Sequence, residues 1–156
     1  MSELVRVVVS HDLDDARKYD GMPPHVTLAY FETSEGRAKG LITSIGIVAT
    51  QHSPFSIGFS KKLYNFGPDG NILAHKVTNP DGSLIRVHGD LLDAAWLNEV
   101  PVDMGFQGSR YNPHLTVAEG FMAPTDSEVR GLSVYTRSLG GRALKQLNYF
   151  PFDEQD

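Results

Sequence analysis

The chain has no cysteine, which removes disulfide frameworks, thiolate zinc sites and cysteine nucleophiles together and leaves the redox compartment unread. No apolar run approaches the roughly 20 residues that a membrane-spanning helix needs. The start, Met1-Ser-Glu-Leu-Val-Arg6, lacks the basic opening and long apolar stretch of a signal peptide. A cytoplasmic protein with no membrane partner is therefore expected. Positive charge is also scarce: 14 Lys and Arg against 19 Asp and Glu give a net charge of -5, so the long-range field repels a polyanion. Long double-stranded nucleic acid is a poor partner for such a surface, whereas a small nucleotide in a locally positive pocket stays open. Missing too are His-Glu-x-x-His, Gly-x-Ser-x-Gly and the glycine pattern of a phosphate-cradling P-loop.

What is present is ordinary globular material. With 156 residues, 40% hydrophobic and 21% charged, the chain is expected to form one domain over residues 1–156, with a core that needs no covalent staple. Leu4 to Val9 is rich in β-branched residues and reads as a buried strand; after Gly21-Met-Pro-Pro24, Val26 to Phe31 reads as a second. Ala38, Leu41, Ile42, Ile45, Val48 and Ala49 recur at helical spacing, which predicts a helix over Glu35 to Ala49. Phe55, Ile57 and Phe59 alternate with small polar residues, and a turn at Gly67-Pro-Asp-Gly70 returns the chain through Ile72 to Val77 as a hairpin. A second helix is predicted from Ser83 to Leu97, an irregular loop from Val100 to Pro113, a strand from Leu115 to Glu119, a helix from Ser127 to Leu139 and a closing strand from Ala143 to Phe150.

One short pattern occurs twice. Pro24-His25-Val26-Thr27-Leu28 and Pro113-His114-Leu115-Thr116-Val117 share the form Pro-His-apolar-Thr-apolar. On a strand, residues two apart share a face, so each copy offers one imidazole and one hydroxyl to one side and apolar residues to a core on the other. From the counts of histidine and threonine, about 0.3 chance His-x-Thr triplets are expected, and apolar neighbours reduce that to about 0.05. A lone copy would read as a strand-capping histidine; two copies on halves of similar design do not. If the halves pack about a pseudo-twofold axis, both imidazoles line one cleft. A histidine's unperturbed pKa of about 6.5 lets one ring accept a proton while the other donates. Threonine hydroxyls can stabilise charge on nonbridging phosphate oxygens.

These residues resemble the 2H phosphoesterases, a superfamily marked by two His-x-(Thr/Ser)-apolar motifs that includes 2′-5′ RNA ligase-like and cyclic phosphodiesterase-like proteins. The resemblance runs from about Leu4 to Phe121 and takes in Leu28-Ala-Tyr-Phe31 and Phe66-Gly-Pro-Asp-Gly70. It implies a two-lobed, pseudo-symmetric α+β fold, antiparallel sheets around a central cleft with helices outside. It also implies metal-independent cleavage of an RNA-type phosphodiester, with His25, Thr27, His114 and Thr116 as catalytic residues and no cofactor. The substrate class implied is a 2′,3′-cyclic phosphate, a 2′-5′ or 3′-5′ oligonucleotide, or a cyclic oligonucleotide signal. The compact N-terminal half is most similar to phage and bacterial versions, which suggests a phage enzyme acting in the host cytoplasm on a nucleotide defence signal. The rival expectation is a nucleotide-binding module or virion-associated protein that turns nothing over. Only about fifteen residues separate the first strand from His25, fewer than in larger bacterial members, and Val117-Ala-Glu119 lacks the basic residue that many relatives carry there.

Four further residues are candidates for substrate binding. Arg110 and Tyr111 precede the second motif and suit phosphate binding and base stacking, against the plainer reading of an exposed arginine and a core tyrosine. Strand alternation from His25 puts Phe31 on the cleft side. Arg6 points away from Val5, Val7 and Val9, toward solvent or the cleft. His11-Asp12 resembles a metal-ligand pair but lacks the supporting ligands such a site requires, and His52, His75 and His88 read as packing or surface histidines.

Overall fold

A computed structural model describes residues 4–67, 69–103, 107–108, 111–138 and 145–153. Eight strands form one antiparallel, curled sheet: β1 (Leu4–Asp12), β2 (His25–Ser34), β3 (Phe55–Phe66), β4 (Ile72–Thr78), β5 (His114–Thr116), β6 (Asp126–Val129), β7 (Gly131–Ser138) and β8 (Lys145–Pro151). Two helices, α1 (Glu35–Thr50) and α2 (Ser83–Leu97), cover one face. The spatial order is β6-β3-β4-β5-β2-β1-β7-β8. Each motif strand therefore stands at the middle of the sheet with three strands beyond it. The expected two-lobed α+β plan holds, with the two halves joined as a single continuous sheet.

Local chemistry explains the helices. Ser34 caps α1 by accepting from the backbone N–H of Arg37, and Glu35 lies in the positive first turn. Ala38, Leu41, Ile45, Val48 and Ala49 then form its buried stripe. The turn Asn79-Pro-Asp-Gly82 doubles as the start of α2: Asn79 Oδ1 accepts from the N–H of Leu84 and Asp81 Oδ1 from that of Ser83, at 2.6 and 2.9 Å. Gly82 sits at φ 74°, a left-handed conformation that glycine adopts without a Cβ penalty. Leu84, Val87, Leu91, Ala94 and Ala95 join α1 and the sheet in one core.

The helix expected over Ser127–Leu139 is instead two strands, β6 and β7. Leu132 and Val134 are fully buried in the helix-facing core. Their neighbours Ser133 and Tyr135 are buried against the opposite face. A strand covered on both sides loses the polar-apolar alternation that would have announced it, and the residues then imitate a helical spacing. The expected bounds of the other elements move by one to a few residues, except that the expected start of the closing strand, at 143–144, lies outside the described residues; the strand read from Leu115 to Glu119 is limited to His114–Thr116.

A β-bulge controls the concave face. Between Val9↔Ala29 and Ser10↔Thr27 the register of β1 with β2 shifts, so Leu28 is an extra residue on β2. Before it, His25 and Thr27 face the cleft; after it, the alternation is inverted, and Tyr30 and Glu32 take that side. Phe31 consequently enters the helix-facing core, 1% exposed, and is corrected from a cleft contact to a core residue.

The apolar residues inside the motifs carry stability. Val26 and Leu115 are 0% and 1% exposed. Leu115→Ala should lower unfolding free energy by about 2–5 kcal/mol in urea titrations, and an unchanged midpoint would show that the back of this strand is not packed as described.

Candidate active site

The two motif strands pair with each other. Val26 is directly opposite Leu115 in an antiparallel bridge, so the same register sets His25 beside Thr116 and Thr27 beside His114 on the concave face. The four residues expected to act together are thus brought to one surface across the seam of the sheet.

Both imidazoles are oriented in the same way. His25 Nδ1 lies 2.8 Å from the carbonyl oxygen of Pro23, and His114 Nδ1 lies 3.0 Å from that of Asn112. A carbonyl can only accept, so each Nδ1 carries the proton and each Nε2 is left as the exchanging nitrogen. Phe66 stacks on the His114 ring at 4.5 Å between centroids and fixes its plane. Burial lowers the pKa of His25 from its ordinary value. The Pro23 hydrogen bond and the charge of Asp12 oppose that shift, and the His114 charge adds slightly to it.

Asp12 also belongs to this site, although no motif marks it. It is the register partner of His25, and its carboxylate accepts from Ser10 Oγ and from the Tyr135 hydroxyl, both at 2.7 Å. His11 faces the other way, is buried, and makes a 2.8 Å hydrogen bond to Ser127 Oγ through Nε2. The adjacent His11 and Asp12 therefore do not converge on a common point. Among the described residues no group of three or more His, Asp or Glu could hold a metal ion.

A cavity of about 690 Å³ opens to one side of the histidines. Thr27 and His114 line it, together with Tyr30, Phe66, Asp103 and Tyr111; His25 and Thr116 do not. Such a volume suits a nucleotide-sized ligand. Its wall is fastened to β2 by side chains. The Tyr111 hydroxyl donates to the Thr27 carbonyl at 2.7 Å, and its ring stacks on His88 at 3.8 Å, so one ring face is already taken. His88 Nδ1 donates to the Leu28 carbonyl at 2.6 Å while Nε2 accepts from the N–H of Gly108 at 3.0 Å. Gln107 accepts from the Tyr30 N–H at 2.8 Å and donates to the Tyr30 carbonyl at 2.9 Å, as a neighbouring strand would. Tyr30 keeps its phenolic proton: its pKa is pushed up to about 12, chiefly by burial and then by its hydrogen bond to Glu32. Arg6 shares this face, with its guanidinium 5.8 Å from the Tyr30 ring centroid. Arg110 lies outside the described residues.

Residues 5–132 match the family model of the 2′-5′ RNA ligase superfamily. The chain belongs to that superfamily. Membership makes it an enzyme of the 2H phosphoesterase group, a phosphodiesterase. The solved structures agree in fold. LigT of E. coli complexed with NADP+ superposes with a TM-score of 0.67 at 17% identity, covering 98% of this chain and 100% of that one. A protein described as a phosphoesterase gives 0.66 at 16% identity, with 99% and 100% covered. TT0787 of Thermus thermophilus gives 0.63 at 15% identity, with 97% and 100% covered. No curated protein matches the chain. No helix among the described residues is long and apolar enough to cross a membrane.

Three histidines of this 2H enzyme have pKa values lowered chiefly by burial: His11, to about 4, together with His25 and His88. In the unfolded chain each takes up a proton near its ordinary value of about 6.5, while the folded chain resists until lower pH. The unfolded state thus binds more protons in that window, and stability rises with pH. The melting temperature should hold above pH 6.5 and fall as pH drops from there toward 4, with a shallower fall in His11→Gln. A flat profile over this range contradicts the burial of these rings.

Proposed function

We propose that this chain cleaves an RNA-type phosphodiester without a metal ion, with His25 and His114 as general base and general acid. The observation that carries the reading is the antiparallel pairing of the two motifs at Val26 and Leu115, with both Nδ1 atoms tied to the carbonyl two residues earlier. Two exchanging Nε2 atoms and two hydroxyls are then offered by neighbouring strands to one phosphate in this reading.

The lowered pKa of His25 favours its neutral form near neutrality, which suits it to be the base. Its Nε2 takes a proton from the attacking oxygen, a ribose 2′-hydroxyl or a water, while Nε2–H of protonated His114 delivers one to the departing oxygen. The phosphorus gains one P–O bond and loses another, and one proton is taken up as one is released. In a following ring-opening by water the two rings exchange roles, so the pair is restored. Thr27 and Thr116 donate to the nonbridging oxygens as charge accumulates there. Asp12, opposite His25, supports the charge that appears on that imidazole after proton transfer.

The substrate in this reading is a small nucleotide or short oligonucleotide seated in the cavity beside Thr27 and His114. A 2′,3′-cyclic phosphate, a 2′-5′ or 3′-5′ linkage and a cyclic oligonucleotide all fit this chemistry. Destruction of a host nucleotide defence signal by a phage protein in the host cytoplasm is the biological setting we favour, on the resemblance of the compact N-terminal half.

The test is product analysis by mass spectrometry on cyclic mononucleotides, dinucleotides of both linkages and cyclic dinucleotides, with EDTA present. Wild-type protein should turn over at least one class, and His25→Ala and His114→Ala should each lose about 100- to 10,000-fold in kcat. Absence of turnover by the folded protein across the panel would instead favour a nucleotide-binding module. The acid limb of the pH profile of kcat/KM should have its midpoint below 6.5, the ordinary histidine value. A midpoint at or above that value would reverse the assignment of base and acid.

A further inference from the structure

The concave face continues past the histidines along β2, β1 and β7. Cross-strand register aligns Glu32, Arg6 and Arg137 in one row. Partners in register share a face, so both guanidiniums lie on the side where Tyr30 lines the cavity. Arg6 rests over the Tyr30 ring, and the charges of both arginines act on the Tyr30 phenol.

This row is unfavourable as it stands. Like charges directly opposite one another on neighbouring strands repel. The row holds two positive charges and one negative, because Glu32 is the single carboxylate in it and also accepts from the Tyr30 hydroxyl. Arg6 Nε approaches Glu32 Oε1 at 3.5 Å, near enough for ion pairing but without a hydrogen bond. Among the described residues, two buried side-chain nitrogens lack a hydrogen-bond partner, and they are Nε of Arg6 and Nε of Arg137. A buried donor without a hydrogen bond is costly, and here two such donors, that of Arg6 held only by its 3.5 Å ion pair with Glu32, belong to adjacent forks whose geometry matches a phosphate. Arg137 also lies outside residues 5–132, the part matched by the family model.

We infer that Arg6 and Arg137 together form a second phosphate subsite, so that the preferred substrate is an oligonucleotide with a further phosphate beyond the scissile one. This rests on the phosphodiesterase reading of the cleft. From Arg6 to Ser10, the register partner of Thr27, the strand covers about 13 Å. An oligonucleotide bridges that interval; a cyclic mononucleotide, with one phosphate, does not. The subsite contributes to binding rather than to bond cleavage, so it separates short from long substrates without altering the chemistry at the histidines.

The test uses a 5′-phosphorylated RNA trinucleotide and 2′,3′-cyclic AMP as probes. Calorimetric affinity for both is measured on protein carrying His114→Ala, alone and combined with Arg6→Gln, Arg137→Gln or Lys39→Gln, the last removing one charge from α1 on the opposite face. Each arginine substitution should weaken trinucleotide binding about tenfold and reduce the slope of log affinity against log salt by about one. The ratio of trinucleotide to cyclic AMP affinity should fall by a similar factor, and Arg6→Lys should recover part of it. A loss no greater than that of Lys39→Gln, or an equal loss for both probes, overturns the subsite. Melting curves identify any variant that fails to fold, and Arg137→Lys then replaces Arg137→Gln with the same expected direction. Arginine-dependent binding by a wild-type protein that turns nothing over would overturn the phosphodiesterase reading and keep the subsite; turnover with arginine-independent binding would do the reverse.

Discussion

The cleft depends on one contact, the antiparallel bridge between Val26 and Leu115. Both side chains are driven into the core by the cost of leaving them in water, and alternation then forces their neighbours onto the other face. Because the pairing is antiparallel, the sequence His-x-Thr meets its own reverse. Each imidazole comes beside the hydroxyl of the other motif, and the two lobes contribute equally to one surface. Burial of two aliphatic residues thereby achieves what would otherwise need several polar contacts: two proton-carrying rings are set facing a common space.

The bulge at Leu28 limits how far that arrangement extends. It shifts the side chains beyond it by one residue, replacing Phe31 with Tyr30 on the cleft side. Backbone groups of β2 near the bulge are met by side chains instead of a full ladder: Thr27 by Tyr111, Leu28 by His88, Tyr30 by Gln107. Helix α2 and the segment before β5 are tied to the motif strand through these contacts. His88 fulfils its part only when neutral, since it donates through one nitrogen and accepts through the other.

Much of this was legible in the sequence where a local rule was strong. The repeated motif identified the four residues now facing one another across β2 and β5, and helical spacing located both α1 and α2, the second at Ser83–Leu97. Phe31 was misplaced because counting by twos assumes an unbroken strand, and nothing in Thr27-Leu-Ala-Tyr-Phe31 announces an extra residue. β7 reads as helix because a strand buried on both faces has no alternation to count, and β6, four residues with only Val129 buried, is too short to show one. Asp12 escaped notice because its relation to His25 exists only through strand pairing, and its neighbour His11 suggested a metal pair that the opposing faces forbid. Gln107 and His88 are ordinary residues in sequence; their importance lies in which carbonyls and amides they satisfy after folding.

Gln107 has a consequence for how such a protein can diversify. Its side-chain amide reproduces the donor and acceptor of a strand backbone, so the segment that walls the cavity is attached to the sheet without belonging to it. Insertions, deletions or exchanges in that segment can remodel the ligand-facing wall while the hydrogen-bond ladders and the paired motifs keep their register. Selection for a new ligand can therefore act on the attached wall almost independently of the paired motifs, and the seam they form can be inherited unchanged through many changes of ligand.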